Sequence, residues 1–319
     1  MPWELRDGEP VITTDLVRAL LTEQHPDLAT LPIGTSVRGW DNTMVRLGDD
    51  LALRLPRHQQ AEELLDREVT WLPVLAAQLA SLPVGARASR PDIPTPVRSG
   101  APGAGYPFRW AIVPWLEGAP AALASAEARD EYAELLAKTL RRLHQPAPAE
   151  APASAFRGID IRTVADRFEQ RWVTVAPDLS SQRQAELRTI WSDALAAHRY
   201  SGPRVWLHGD PHPNNTVIAA PSGPSGPFGL SGVGTGTGQP MLVDFGDLCA
   251  GDPASDLGSA LLHFSPAGTS TFMNAYDDGR GPDAALWARA RGWAVYYAVI
   301  YAGQSADEPL RPLGRKALA

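Results

Sequence analysis

Two short apolar segments, each followed by a polar turn, constrain this chain more than any other feature of its sequence. The first, at 205–218, reads VWLHGDPHPNNTVI, and the second, at 241–247, reads MLVDFGD. Each has the pattern of a strand that ends in a turn, which is how a rigid scaffold holds reactive side chains on a loop. Two prolines stiffen the turn between Asp210 and Asn215, so both side chains are expected to face one site, and Asp244 adds a carboxylate from its own strand end. The chemistry of the chain is therefore predicted at these turns.

The side chains of the two turns suit phosphoryl transfer from a nucleotide. In that reaction a base accepts the proton of the attacking hydroxyl, while magnesium bridges the phosphates through oxygen ligands. The triplet HGD at 208–210 with Asn215, followed by DFG at 244–246, resembles the catalytic and metal loops of the aminoglycoside phosphotransferase family, which are small-molecule kinases with a protein-kinase-like fold. The resemblance implies that Asp210 is the catalytic base and that Asn215 and Asp244 hold Mg²⁺.

Length, charge and cysteine content limit the class of protein. A chain of 319 residues with 44% hydrophobic content can bury a large core and exceeds the size at which one core usually splits, so two lobes are expected. A net charge of −7 argues against a nucleic-acid partner, which would need a basic face. The single cysteine, Cys249, excludes an intramolecular disulfide framework and fits a reducing compartment. The N-terminal segment lacks a signal-peptide pattern and no apolar run is long enough to span a bilayer, so we expect a cytoplasmic protein without a membrane partner; the sequence does not indicate the oligomeric state.

The resemblance also implies an architecture. It extends from about Gly39 to about Phe264 and implies an α+β, protein-kinase-like fold with an N-terminal antiparallel sheet lobe that carries a helix and a larger, mainly helical C-terminal lobe. We expect an N-lobe at 1–114, a hinge at 115–118 and a C-lobe at 119–319. The segment 221–240 consists mostly of Gly, Pro, Ser and Thr, which predicts a flexible insertion that leaves a short hairpin at residue 219 and rejoins it near 241.

Arg54 is the candidate contact for the nucleotide phosphates. It alternates with the leucines at 51, 53 and 55 and stands where kinase-like folds carry a lysine. Arginine keeps the charge and can hold phosphate through two donors, but its geometry differs from that of lysine. Glu68 is the predicted partner of Arg54, with Glu62 and Glu63 as competitors, because such folds pair this base with a helical glutamate. The alternative is a solvent-exposed arginine on a strand.

Further nucleotide contacts are predicted in two connections. The polar turn that contains Asn42 and Thr43 occupies the place of the turn that covers the phosphates, where backbone donors bind oxygen. A later apolar strand ends in a connection marked by Pro and Gly, which is typical of a hinge. There the backbone around Val113, Trp115 and Leu116 would bind the adenine edge, although Trp115 could equally be a core residue.

The predicted reaction is transfer of the terminal phosphoryl group of ATP or GTP to a hydroxyl of a small molecule. An aminoglycoside or related antibiotic is the first candidate, and because it is polycationic it would require carboxylates such as Asp247, Asp277 and Asp278. A macrolide, or another sugar or amino-alcohol metabolite, would instead require apolar walls, which the ten tryptophans could supply. Fold and motif do not decide between these acceptors.

Two alternatives of other classes stay open. The sequence HGDPH at 208–212 could belong to a metal-dependent phosphoesterase, although the remaining histidines stand alone in the sequence. The arginine at the lysine position could mark a non-catalytic nucleotide-binding relative. His208 itself is predicted to brace its loop through a hydrogen bond, and Asp252 or Asp256 is predicted to hold the catalytic loop through its backbone amides.

Overall fold

A computed structural model describes residues 8–82, 93–219 and 240–319, which divide into two compact units. The first unit contains 8–82 and 93–117 of the described residues, and the second contains 118–219 and 240–319. The predicted insertion lies outside the described residues except for its last position, Pro240. The predicted lobe boundaries and hinge stay predictions.

The first unit is built on a five-stranded antiparallel sheet with the strand order β1-β2-β3-β5-β4. Its elements in chain order are α1 (Thr14–Gln24), β1 (Ile33–Arg38), β2 (Asn42–Leu47), β3 (Leu51–Pro56), α2 (Gln59–Ser81), β4 (Arg98–Gly100) and β5 (Trp110–Pro114).

Strand β3 lies at the centre of this sheet and is buried along its whole length. Its three leucines join the apolar cluster that contains Leu20 and Leu21 of α1, whereas Ala52 packs with Leu65 of α2 on the other side. Full burial of one leucine contributes roughly 1.5–3 kcal/mol, so the alternation of β3 fixes which face of the sheet α1 covers. Arg54 shares the face of Ala52, and it is buried. The alternative of a solvent-exposed arginine is therefore wrong.

The second unit is mainly helical. Its helices are α3 (Ala126–Arg129), α4 (Ala133–Leu143), α5 (Ala165–Val175), α6 (Ser181–Ala196), α7 (Ala254–Leu261), α8 (Pro266–Asp277), α9 (Ala284–Ala302) and α10 (Arg311–Leu318). Its short strands are β6 (Gly118–Pro120), β7 (Val205–Leu207), β8 (Thr216–Ala219), β9 (Pro240–Leu242) and β10 (Cys249–Gly251). Within the described parts of the chain, no helix combines the length and the apolar character needed to cross a membrane.

Helix α9 is the centre of this unit and packs against α5, α6, α7 and α10. A helix surrounded in this way is apolar on all sides rather than along one stripe, and α9 is buried along most of its length. The approach of α7 is close, since a Cβ on Gly258 would lie 2.4 Å from Cβ of Trp293. Helix α9 therefore supplies a rigid wall, and the side chains near its C-terminal end reach the turn that follows β7.

Two small antiparallel sheets hold the two motif turns. Strand β7 pairs with β10, and β8 lies between β6 and β9. The register places Thr216 opposite Leu242, and the amide of Val243 donates to the carbonyl of Asn215 (3.0 Å). The hairpin predicted on either side of the insertion is thus confirmed, and its pairing brings the two turns together.

Candidate active site

The turn after β7 and the turn after β9 are in direct contact. Gly209 adopts φ +94°, and a Cβ at this position would lie 2.2 Å from the carbonyl oxygen of Asp247. Only glycine tolerates both the positive φ and the close approach. The predicted site residues Asp210, Asn215 and Asp244 therefore lie on turns that touch, as the motif interpretation requires.

The two carboxylate oxygens of Asp210 have different partners. Oδ1 accepts a hydrogen bond from the Tyr301 hydroxyl (3.0 Å), and Oδ2 lies 3.0 Å from Nη2 of Arg157 and 3.5 Å from Nε2 of His212. Burial by itself raises the pKa of Asp210, but Arg157, His212 and the Tyr301 hydroxyl outweigh it, so this pKa lies below its usual range. Asp210 is therefore an ionised acceptor of hydrogen bonds at neutral pH, with a side chain that is still 15% exposed.

Asn215 and Asp244 carry oxygen atoms on the two turns that touch. The Asn215 amide nitrogen donates to the backbone carbonyl of Asp210 (3.1 Å), so its oxygen is the atom that can bind a cation. The side chain of Asp244 is exposed, and its backbone adopts the left-handed conformation, with φ 63° and ψ 70°. Left-handed backbone at a non-glycine residue is strained and is concentrated at functional sites. One amide oxygen and one carboxylate form a hard donor set that fits Mg²⁺ with water and phosphate as the remaining ligands.

Asp256 of α7 braces the turn after β7, which is the predicted catalytic turn. This buried carboxylate accepts hydrogen bonds from the amides of His208 (2.8 Å) and Gly209 (3.0 Å), and His144 lies 3.3 Å from Oδ2. Of the two predicted braces, Asp256 is the correct one. Asp252 instead forms an ion pair with Arg289, at 2.8 Å between Nε and Oδ2.

Two buried histidines hold the same loop through backbone carbonyls. Nε2 of His208 donates to the carbonyl of Val243 (3.0 Å), which confirms the predicted bracing role. Nε2 of His263 donates to the carbonyl of Pro211 (3.0 Å), while its Nδ1 accepts from the Tyr132 hydroxyl (2.8 Å). Burial lowers the pKa of both rings, that of His263 to about 3, so both are neutral.

The phosphoesterase hypothesis requires a cluster of metal ligands at these histidines. In the described ranges, no group of three or more His, Cys, Asp or Glu residues is arranged to hold a metal ion. His208 uses its ring to hold Val243, and Nδ1 of His212 accepts from the amide of Asn215 (3.2 Å). Neither histidine therefore belongs to a cluster of metal ligands among the residues at 8–82, 93–219 and 240–319.

In the first unit, Arg54 and Glu68 form the expected pair. Nη1 of Arg54 lies 2.9 Å and 2.7 Å from the two carboxylate oxygens, and both side chains are buried. With its oxygen facing the guanidinium, the Asn42 amide accepts from Nε (3.2 Å) and Nη2 (3.1 Å). Glu62 is not the partner, because it accepts from the amide of Arg109 (2.7 Å). The predicted contact of Arg54 with phosphate stays a prediction.

The other predicted nucleotide contacts have internal partners that limit their roles. Thr43 is buried in β2, and Val113 pairs with Ala52 across the sheet. The backbone amide of Trp115 donates to the carbonyl of Asp50 (2.8 Å), and its indole donates to Glu117. The backbone amide of Trp115 is therefore already used within the first unit, and the predicted nucleotide contacts stay predictions.

The predicted acceptor carboxylates also have internal partners. Asp247 borders the catalytic turn, where Oδ2 lies 3.7 Å from Nη2 of Arg157. Both oxygens of Asp277 accept from the Trp287 indole (3.0 and 3.1 Å), and Asp278, the C-cap of α8, pairs with Arg141 (2.5 Å). Their predicted binding of an acceptor stays untested, and each charge is already partly offset.

Sequence reasoning missed Arg157, Tyr301 and His263. Tyr301 lies 91 positions from Asp210, and Arg157 comes from the irregular segment before α5. No motif spacing links such distant residues, so nothing in the sequence singled them out.

Solved structures with a similar fold include several phosphotransferases. The GDP complex of wild-type aminoglycoside 2'-phosphotransferase-IIIa matches with a TM-score of 0.65 and 18% identity over 96% of this chain and 97% of that chain. The streptomycin-ATP-APH(2")-IIa ternary complex matches with a TM-score of 0.56 and 14% identity over 96% and 95%. The apoenzyme of macrolide 2'-phosphotransferase MphH from Brachybacterium faecium matches with a TM-score of 0.56 and 20% identity over 96% and 98%.

At these identities the similarity demonstrates the fold. The predicted α+β, protein-kinase-like fold, with an antiparallel sheet in its first lobe and a larger helical second lobe, is confirmed. No curated protein matches the chain significantly. A sequence profile of the phosphotransferase enzyme family (APH) matches residues 35–293. The profile spans most of the chain, and the protein therefore belongs to the phosphotransferase enzyme family.

Proposed function

We propose that this protein transfers the terminal phosphoryl group of ATP or GTP to a hydroxyl of an antibiotic or a related small molecule. The observation that carries the proposal is the direct contact between the turn that presents Asp210 and the turn that presents Asp244. The nucleotides in the similar structures, GDP in one and ATP in another, support a nucleotide donor.

Asp210 orients the acceptor hydroxyl and takes its proton. The hydroxyl oxygen forms a bond to the terminal phosphorus, the bond from that phosphorus to the bridging oxygen breaks, and the nucleoside diphosphate leaves. Because the pKa of Asp210 is low, it is a weak base toward a free alcohol, so the proton moves late, when the forming P–O bond has acidified the hydroxyl. This timing suits a loose transition state, in which positioning and charge neutralisation contribute most of the rate.

Other residues would hold the nucleotide phosphates. Asn215 and Asp244 would bind Mg²⁺, which neutralises phosphate charge when it is bound. Arg54, held by Glu68 and Asn42, would contact phosphate through its guanidinium. The guanidinium would thus replace the lysine that the resembled family uses, with the glutamate contact retained.

One observation favours an acceptor molecule with few positive charges. Asp247, Asp277 and Asp278 contact Arg157, Trp287 and Arg141, respectively, so a polycationic acceptor would have to compete with those partners. A macrolide would not need these carboxylates. Since the similar structures include both aminoglycoside and macrolide phosphotransferases, both classes belong in the test.

The test is a nucleotide-consumption screen with ATP and GTP against aminoglycosides, macrolides and simple amino alcohols. We expect consumption that depends on one acceptor class, with a phosphorylated product visible by mass spectrometry. The Asp210→Asn variant should lose about 10²–10⁴-fold in kcat, the usual contribution of acid–base catalysis, while it still binds nucleotide. Asp178→Asn is the matched control, because this exposed carboxylate pairs only with the surface residue Arg315 in the contacts described for it. Wild-type turnover by Asp210→Asn would exclude Asp210 as the base.

A further inference from the structure

An arginine that no motif contains makes the ion pair with the proposed catalytic base. Nη2 of Arg157 lies 3.0 Å from Oδ2 of Asp210 and 3.7 Å from Oδ2 of Asp247, so one guanidinium nitrogen faces both motif turns. The guanidinium stacks on the ring of Tyr297, 4.9 Å from its centroid. Its side chain is 15% exposed, the same fraction as that of Asp210.

The backbone around Arg157 is fixed to the elements that carry the site. The amide of Gly158 donates to the hydroxyl of Ser255 in α7 (2.9 Å), and the amide of Asp252 donates to the carbonyl of Gly158 (2.9 Å). A Cβ on Gly158 would lie 2.5 Å from the Leu207 side chain, directly before the catalytic turn. The position of Arg157 is therefore set by the same strand and helix that set the position of Asp210.

The guanidinium of Arg157 contacts Asp210 but, in the part of the chain that the structure describes, does not use all of its own hydrogen-bond donors. Among the described residues, nothing accepts a hydrogen bond from its buried Nε. Buried polar groups are normally satisfied, and exceptions in native structures are often connected with function. Asp210 in turn is held at two different oxygens, Oδ1 by Tyr301 and Oδ2 by Arg157. A carboxylate has a broad, nearly free terminal torsion when it is unrestrained, so these two contacts fix its plane.

We propose that Arg157 is a positioning residue for phosphoryl transfer, which, together with Tyr301, fixes the plane of the Asp210 carboxylate so that one oxygen meets the acceptor hydroxyl. This proposal rests on the proposed function, since it acts through Asp210 as the base. It assigns Arg157 no contact with the nucleotide. Its removal therefore lowers kcat and leaves the affinity for nucleotide unchanged, because a small misplacement of a catalytic group can cost about 10²-fold in rate.

The experiment compares Arg157→Gln, Arg157→Lys and Tyr301→Phe with Arg289→Lys as the matched control. Arg289 is also a buried arginine paired with an aspartate in the second unit, but its partner is Asp252. Steady-state kinetics on the acceptor found in the screen gives kcat and KM, and calorimetric nucleotide binding gives the fraction of folded, competent enzyme. We expect kcat per competent molecule to fall about 10²-fold in Arg157→Gln, with KM for nucleotide within about twofold of wild type. Arg289→Lys should lower the melting temperature and keep kcat per competent molecule.

The lysine variant and a rescue experiment separate positioning from folding. Arg157→Lys keeps a charge near Oδ2 and should recover about tenfold over Arg157→Gln, less than wild type because lysine lacks the planar fork. Methylguanidinium should partly restore the turnover of Arg157→Ala, which a purely structural role would not predict. If Arg157→Gln does not fold, the kcat of Arg157→Lys and the rescue by methylguanidinium still test the positioning role.

The possible failures are distinguishable. If Asp210→Asn is inactive but Arg157→Gln retains wild-type kcat per competent molecule, the positioning role is wrong and the proposed function stands. A loss in Arg157→Gln that appears only as a raised KM for nucleotide also overturns the proposal. Wild-type turnover in Asp210→Asn means that the proposed function itself fails.

Discussion

Two arginine–aspartate pairs of the second unit, one buried and one partly exposed, have the same chemistry but different roles. In the pair of Arg289 and Asp252, two nitrogens meet two oxygens at 2.8 and 3.3 Å, and Nη1 donates to the carbonyl of His198 (2.6 Å). Asp252 also accepts from the amide of Ala254 (3.0 Å). In the pair of Arg157 and Asp210, Nη2 makes the contact with the carboxylate, which also bonds Tyr301.

The difference lies in how completely each pair is satisfied. The side chains of Arg289 and Asp252 are 4% and 5% exposed, whereas those of Arg157 and Asp210 are both 15% exposed. A buried pair with bidentate geometry and further hydrogen bonds offsets its desolvation and connects helices. A carboxylate that is partly exposed, such as that of Asp210, can accept a hydrogen bond from a further donor. We infer that the first pair holds the unit together and that the second is reserved for a substrate hydroxyl.

The largest expected effect on stability comes from removing Arg289. Arg289→Ala leaves Asp252 buried without a cation, which typically costs about 3–5 kcal/mol of unfolding free energy. Urea denaturation at pH 7 measures this loss, and kcat per folded molecule should stay at the wild-type value. A loss below about 1 kcal/mol, typical of an exposed pair, would break the comparison.

The contribution of the buried His263 to the stability of the second unit is expected to depend on pH. Its pKa is lowered to about 3 in the folded state, while that of an unfolded histidine is about 6.5, so the unfolded state binds the proton first as pH falls. The stabilising contribution of neutral His263 is therefore complete above about pH 6.5 and is lost progressively toward pH 3.

The measurement compares the wild type with His263→Gln by urea unfolding at pH 7, 6 and 5. Linkage predicts that the wild type loses about 2 kcal/mol more than the variant between pH 7 and pH 5. The variant is expected to be less stable at pH 7, because it loses the hydrogen bonds to Pro211 and Tyr132. Equal acid sensitivity of the two proteins would mean that His263 is not held neutral.

Removing Arg157 should destabilise the protein less than removing Arg289. Asp210 can be hydrated and keeps the hydrogen bond from Tyr301, so Arg157→Gln is expected to cost about 1.5–3 kcal/mol, the range of a single charged hydrogen bond. The same urea titration measures it. A loss as large as that of Arg289→Ala would assign both pairs to the fold and remove the distinction between them.

The smallest effect is expected in the buried pair of the first unit. Arg54→Lys keeps the charge and one bond to Glu68 but loses the contact with Asn42, so kcat/KM for nucleotide should fall about tenfold or less, or about 1.4 kcal/mol. Kinetics with ATP and GTP check this, with Glu62→Gln as a control outside the pair. A loss of several hundredfold would show that the lysine of the resembled family cannot serve here.

Short-range patterns predicted a large part of the fold and of the site. The alternation in β3 put its leucines on one face and Arg54 on the other, because successive side chains of a strand point to opposite faces. The turn sequences likewise identified Asp210, Asn215 and Asp244, since each turn is short and follows its own strand. The family resemblance made Glu68 the first candidate partner of Arg54, with Glu62 and Glu63 as competitors, and the structure pairs Arg54 with Glu68.

Only the tertiary structure decided which distant side chains complete the site. Arg157, Tyr301 and His263 reach the catalytic turn from an irregular segment, from the end of α9 and from the residues after α7. It also decided that Asp256 braces the loop while Asp252 pairs with Arg289. The physical reason is that strand alternation and turn conformation are local properties of the chain, whereas the partner of a buried charge depends on which helices pack together and on the angle at which they meet.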